Sequence, residues 1–144
     1  VKRMNMAKGA QQYAQMNKQT GVENANPHQL IGMLYQGALD NLQQAIGCID
    51  RNDYEGRGRH LGRVITILGG LQGFLDHKQG GEIAENLDGL YEYMSVRLYD
   101  ASREHSKAPV EEVIGLLKEI KAGWDGIADQ AREIYSPDPS PVNE

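Results

Sequence analysis

The chain has 144 residues and a mass of 16.0 kDa, room for one domain of ordinary size. Apolar residues make up 40 % and charged residues 24 %, which excludes disorder along the whole length. Fifteen Lys and Arg against 20 Asp and Glu give a net charge of −5, unsuited to nucleic acid or an acidic membrane as the main partner.

The single cysteine, Cys48, excludes an internal disulfide framework and any Cys-rich zinc site. No apolar run approaches the ~20 residues of a membrane span, so no membrane insertion is expected. The opening Val1-Lys2-Arg3-Met4-Asn5-Met6 lacks the apolar core of a secretory signal, and the expected location is the cytosol. Glycine is over-represented: 17 of 144 residues, about 12 % against a usual ~7 %, most of them inside segments that otherwise read as helix.

Residues 1–25 are polar, with a short amphipathic run at Ala10, Tyr13, Ala14 and Met16. This suits a partly flexible cap segment, helical or extended, that needs something to lie against. Asn26-Pro27-His28-Gln29 then predicts a helix start, with Asn26 as N-cap, Pro27 at the first helical position and Gln29 closing a capping box. Ile31, Leu34, Tyr35, Ala38, Leu42, Ala45, Ile46 and Ile49 recur at three and four residues through a long first helix. Its end is expected near Arg51-Asn52, where Asn takes the left-handed stop.

Asp53 caps the second segment, whose apolar residues run from Leu61 to Leu75. Asp76-His77-Lys78-Gln79-Gly80-Gly81 reads as a break, and a third helix follows from Glu82 with Ile83, Leu87, Leu90, Tyr91, Met94 and Leu98 on one side. After the turn at 104–108, Pro109 and acidic Glu111 and Glu112 open a fourth helix. Its stripe is Val113, Leu116, Leu117, Ile120, Trp124 and Ile127. The proline-punctuated end, 135–144, reads as a disordered tail. No stretch sustains a period of two. The expected architecture is all-α, an antiparallel four-helix bundle over 26–134 behind the N-terminal cap segment.

Catalytic and metal chemistry find no motif. A di-metal bundle site needs Glu-x-x-His pairs, and none of His28, His60, His77 or His105 has an acidic residue three positions before it. Each histidine reads as a turn or helix-surface residue. Cys48 reads as a small packed thiol, reactive only if a cation such as Arg51 sits against it. Gly56-Arg57-Gly58-Arg59-His60-Leu61-Gly62 lacks the spacing and the preceding strand of a dinucleotide loop. The cluster Arg51, Arg57, Arg59 and Arg63 reads as a solvated helix face. No catalytic residue, metal or cofactor is expected.

The informative feature is the width of the apolar arcs. Leu61, Ile65, Leu68 and Leu75 already supply the ~100° stripe that the second helix needs. Val64, Ile67, Leu71 and Phe74 form another, rotated by roughly 80–100° on a 3.6-residue wheel. Tyr93, Val96 and Tyr99 likewise leave the main face of the third helix. Two readings stand side by side: a second helix buried on two sides within the bundle, or a groove left for a partner and covered at rest by the N-terminal segment through Tyr13 and Met16. Gly69-Gly70-x-x-Gly73 beside Leu71 and Phe74 would let a foreign backbone approach. Spare apolar stripes could equally pair two copies in a homodimer.

Three stretches carry a resemblance. Asn26-Pro27-His28-Gln29-Leu30-Ile31-Gly32-Met33-Leu34-Tyr35-Gln36-Gly37-Ala38 resembles the opening of the first long helix of the FliS family of flagellar export chaperones. Gly80-Gly81-Glu82-Ile83-Ala84-Glu85-Asn86-Leu87-Asp88-Gly89-Leu90-Tyr91-Glu92-Tyr93-Met94 is similar to that family's most recognisable stretch, and 111–117 with Trp124 to its fourth helix. Tyr13 is placed like the tyrosine of the family's N-terminal segment. Asn26 stands where Ser is usual, and 57–62 is richer in Gly and Arg than the family pattern. The resemblance implies a cytosolic chaperone that binds the disordered C-terminal segment of flagellin, blocks premature polymerisation and helps deliver it to the flagellar export gate. It implies no nucleotide or other cofactor. The side chains expected to meet the partner are Tyr13, Met16, Ile31, Leu34, Tyr35, Val64, Ile67, Leu71, Phe74 and Tyr93.

Overall fold

A computed structural model describes residues 26–127 and 131–135. Within them run α1 (Pro27–Asp50), α2 (Tyr54–Phe74), α3 (His77–Glu104), α4 (Ala108–Asp125) and a one-turn α5 (Ala131–Ile134). Tight turns join the first four, so successive helices run antiparallel. Helix α1 packs on α2, α2 on α3, α3 on α4, and α4 back on α1, which closes the ring of an all-α four-helix bundle.

The helix ends follow their local chemistry. Asn26 caps α1: its side chain accepts from the Gln29 N–H while the Gln29 side chain accepts from the Asn26 N–H, the expected capping box. Asp53 caps α2 through the Gly56 N–H at 2.9 Å. Asn52 stops α1 with φ 57°. The 76–81 break is subtler than a plain loop. Asp76 already caps a helical turn beginning at His77, and Gly81, at φ 51° and ψ −124°, kinks the chain before α3 continues. Only glycine adopts that backbone without strain.

The core is one continuous cluster drawn from all the helices, with Tyr35, Leu42, Leu68, Tyr91, Met94, Leu98 and Leu117 fully enclosed. The second stripe of α2 belongs to it. Val64, Ile67, Leu71 and Phe74 lie on the side of α2 that carries His60, which bonds Asn41 of α1 at 2.8 Å. Leu61, Ile65, Leu68 and Leu75 share the side of Gln72, which reaches Asp88 and Glu92 of α3. The two stripes thus face two neighbours, α1 and α3.

The tail also begins later than expected. Tyr135, assigned from sequence to a disordered tail, is buried and pairs with Leu75 in an isolated antiparallel bridge. Its ring enters the core, where tertiary contacts override the proline-rich context that follows. The cap segment 1–25 and the tail residues 136–144 lie outside the described residues.

Candidate functional site

Of the ten side chains expected to meet a partner, Tyr13 and Met16 lie outside the described residues. Ile31, Leu34, Tyr35, Val64, Ile67, Leu71 and Phe74 are all buried, none more than 5 % exposed. They are core in the folded chain and offer no free surface. Tyr93 is the exception at 44 %.

Tyr93 is not alone. Val96 and Tyr99 follow it at three-residue spacing, 49 % and 55 % exposed, and Ile83 lies on the same helix. The result is an apolar and aromatic strip along the outer face of α3. Its inner face, with Ala84, Tyr91, Met94, Leu98 and Ala101, is fully engaged in the core. A Cβ placed at Gly89, one turn before Tyr93, or at Gly115 of α4 would meet nothing within 4 Å, so the ground near the strip is low and open.

The strip is held in place from α4. The Tyr93 hydroxyl donates to Glu112 at 2.6 Å, and Arg97 Nε donates to the other carboxylate oxygen at 2.7 Å. Arg97 also reaches Asp100, which in turn binds Arg103. Glu112 is drawn below the usual carboxylate range, first by the Tyr93 hydroxyl and then by Arg97. The same bond to Glu112 raises the Tyr93 phenol. Two donors on one carboxylate fix the rotamer of the Tyr93 ring, so less side-chain freedom is lost when something lies on it.

The other motifs resolve into structural links. Cys48 is buried, with Arg51 Nη2 3.6 Å from its sulfur and Asp53 Oδ2 at 3.7 Å on the other side. Arg57 packs over the Tyr54 ring and donates to His105, whereas Arg59 and Arg63 stay at the surface as expected. His28, His60 and His105, read from sequence as surface residues, each tie two elements together. His28 Nε2 donates to the Trp124 carbonyl at 2.6 Å, Trp124 Nε1 returns a bond to the His28 carbonyl at 2.9 Å, and the rings stack. A furrow of about 390 Å³ between α1 and α4 is lined with Gln36, Leu39, Asp40, Gln43, Lys118, Lys121, Ala122 and Asp125, a mixture of charged, amide and apolar side chains. Among the described residues no group of His, Cys, Asp and Glu could hold a metal ion, and no helix is long and apolar enough to cross a membrane.

Fold and site together define a class: a closed helical bundle that displays a preorganised aromatic strip, the anatomy of a protein-binding module. The sequence model for flagellar protein FliS matches residues 9–131. The chain belongs to the FliS family. It is 46 % identical over 121 residues to the flagellar secretion chaperone FliSB of Pseudomonas aeruginosa, covering 84 % of this chain and 96 % of that protein. Against the flagellar secretion chaperone FliS of Salmonella typhimurium it is 40 % identical over 129 residues, 89 % of this chain and 96 % of that one. The Escherichia coli FliS shares 37 % over 122 residues, 84 % and 90 % of the two chains.

Proposed function

We propose that this protein is a flagellar secretion chaperone whose client is the C-terminal segment of flagellin, held unpolymerised in the cytosol and handed to the export gate. The observation that carries the reading is the Tyr93–Val96–Tyr99 strip, an apolar surface left open on a bundle whose core is otherwise closed. A disordered client with amphipathic helical potential would lay its apolar face there.

A second surface enters when the chaperone is loaded. Residues Ile67, Leu68, Gly69, Gly70 and Leu71 are all buried, and consecutive residues step about 100° round a helix, so this turn is covered on every side. Gly69 and Gly70 fall on the side away from α1 and α3. In our reading the N-terminal segment with Tyr13 and Met16 covers them at rest, and the client displaces it.

Isothermal titration with a synthetic flagellin C-terminal peptide tests both surfaces. Wild type should bind at about 1:1. Val96→Asp and Tyr99→Asp should each weaken binding at least tenfold with far-UV circular dichroism unchanged, because their side chains are open and support no core contact. Tyr13→Ala should alter the affinity through loss of the cover. Undiminished binding by both aspartate variants would remove the strip from the site. Absence of binding to wild type, with a stable dimer by light scattering, would instead favour homodimerisation through the same face.

A further inference from the structure

The last described residues are fastened in a way the four helices do not themselves require. The Ile134 carbonyl accepts from the Asp76 N–H at 2.8 Å, and Tyr135 pairs with Leu75, whose backbone is extended at φ −62° and ψ 137°. Gly80 makes room both for its own helix and for this strap: a Cβ there would lie 2.9 Å from the Ala84 Cβ, 3.0 Å from the Glu133 carbonyl oxygen and 3.5 Å from the Ile134 Cα. Beyond the backbone pairing, the Tyr135 ring stands edge-on to Trp124 at 5.1 Å, and its hydroxyl joins those of Tyr35 and Tyr91 in a buried triangle.

The walls of this slot stand without the strap. Trp124 is held by two hydrogen bonds and a ring stack from His28. The Tyr35 and Tyr91 hydroxyls bond each other at 2.6 Å. Asp76 is fixed as an N-cap by the Gln79 N–H at 2.9 Å. What remains when the strap is taken away is therefore a formed receptacle with definite demands. It offers one N–H to the last carbonyl of a helical turn, a place for a branched aliphatic side chain, and a deeper place for a phenol whose hydroxyl both donates and accepts.

We propose that this slot is a peptide-binding site which residues 134–135 fill in cis, and that its foreign ligand is a partner segment in which a helical turn ends on an aliphatic–tyrosine pair. The chain's own Ile134-Tyr135 is the template for that ligand. The strap is a single helical turn and two buried side chains, so exchange for a partner segment leaves α1 to α4 intact. The slot lies at the α2–α3 corner against the end of α4, and the inference does not depend on what binds the outer strip of α3.

The test uses the full chain with Tyr135→Ala or Tyr135→Phe and a labelled synthetic peptide of residues 131–138. Trp124 is the sole tryptophan, so its emission reports occupancy of the slot directly. The peptide should bind Tyr135→Ala at least tenfold more tightly than wild type, where the strap competes, and should shift Trp124 emission. Replacing the peptide's tyrosine should weaken it in the order Tyr, Phe, Ala. If Tyr135→Ala loses helicity, Tyr135→Phe takes its place with an expected gain of at least threefold. A folded variant that shows neither saturable binding nor a Trp124 shift overturns the proposal. So does a wild-type dimer that the peptide dissolves, which would assign the slot to a second copy of this chain.

Discussion

His28, His60 and His105 carry their protons where their neighbours dictate. His28 Nε2 faces a carbonyl and must donate. His60 Nδ1 donates to Asn41 Oδ1, since the Asn41 amide nitrogen is already given to the Gly37 carbonyl. His105 Nδ1 accepts from Arg57, leaving Nε2–H for Asn52. His60 has a further property: burial, then Arg59 and Arg63, hold its pKa below the ordinary 6.5. The unfolded chain therefore takes up a proton near 6.5 before the folded one does, so this contribution is whole above that pH and is lost as pH falls through the lower folded value. Urea melts at pH 7.5 and 5.5 should show lower stability in acid. His60→Gln, which keeps a donor for Asn41, should flatten that part of the slope; an unchanged slope would place its origin elsewhere.

At the scale of the element, glycine has opposite meanings at two places in α3. Gly81 takes φ 51°, a conformation that costs other residues on the order of 1–3 kcal/mol, whereas Gly89 is helical and faces open space. Gly81→Ala should destabilise by about that amount, and Gly89→Ala should stabilise by up to about 1 kcal/mol, read as opposite shifts in the denaturation midpoint. A common sign for the two would refute the assignment of the kink. The starts of α1 and α2 and the stop at Asn52 were legible because caps act within four residues of sequence; the Asp76 cap of α3 was read as part of a break. His105 was not: it takes φ 51° as the stop of α3, and what supports it, Arg57 and Asn52, lies on other elements. Likewise α5 is a single turn, too short for any periodicity to announce, and stands only because Ile134 and Tyr135 find buried places.

For the whole molecule, the wide arc of α2 was visible in the sequence, but its meaning was not. Two apolar stripes state that a helix has two apolar surroundings; they do not state whether the second is a neighbour or a visitor. Here His60 and Gln72 show the two stripes turned towards α1 and α3. The three outward residues of α3 were equally visible, and among the described residues they remain open, as do Tyr54 and Ile83. The triangle of Tyr35, Tyr91 and Tyr135 joins positions up to 100 residues apart, beyond any local pattern.

The sequence by itself determined the helical class, the breaks between the long helices, the capping of α1 and α2, and the family, because these rest on periodicity, short-range hydrogen bonds and contiguous motifs. Only the tertiary structure decided which surplus apolar residues are sealed and which face outward, and that Tyr135 closes the core. Both depend on the rotation of each helix about its axis and on contacts between distant segments, which a pattern along one chain does not encode.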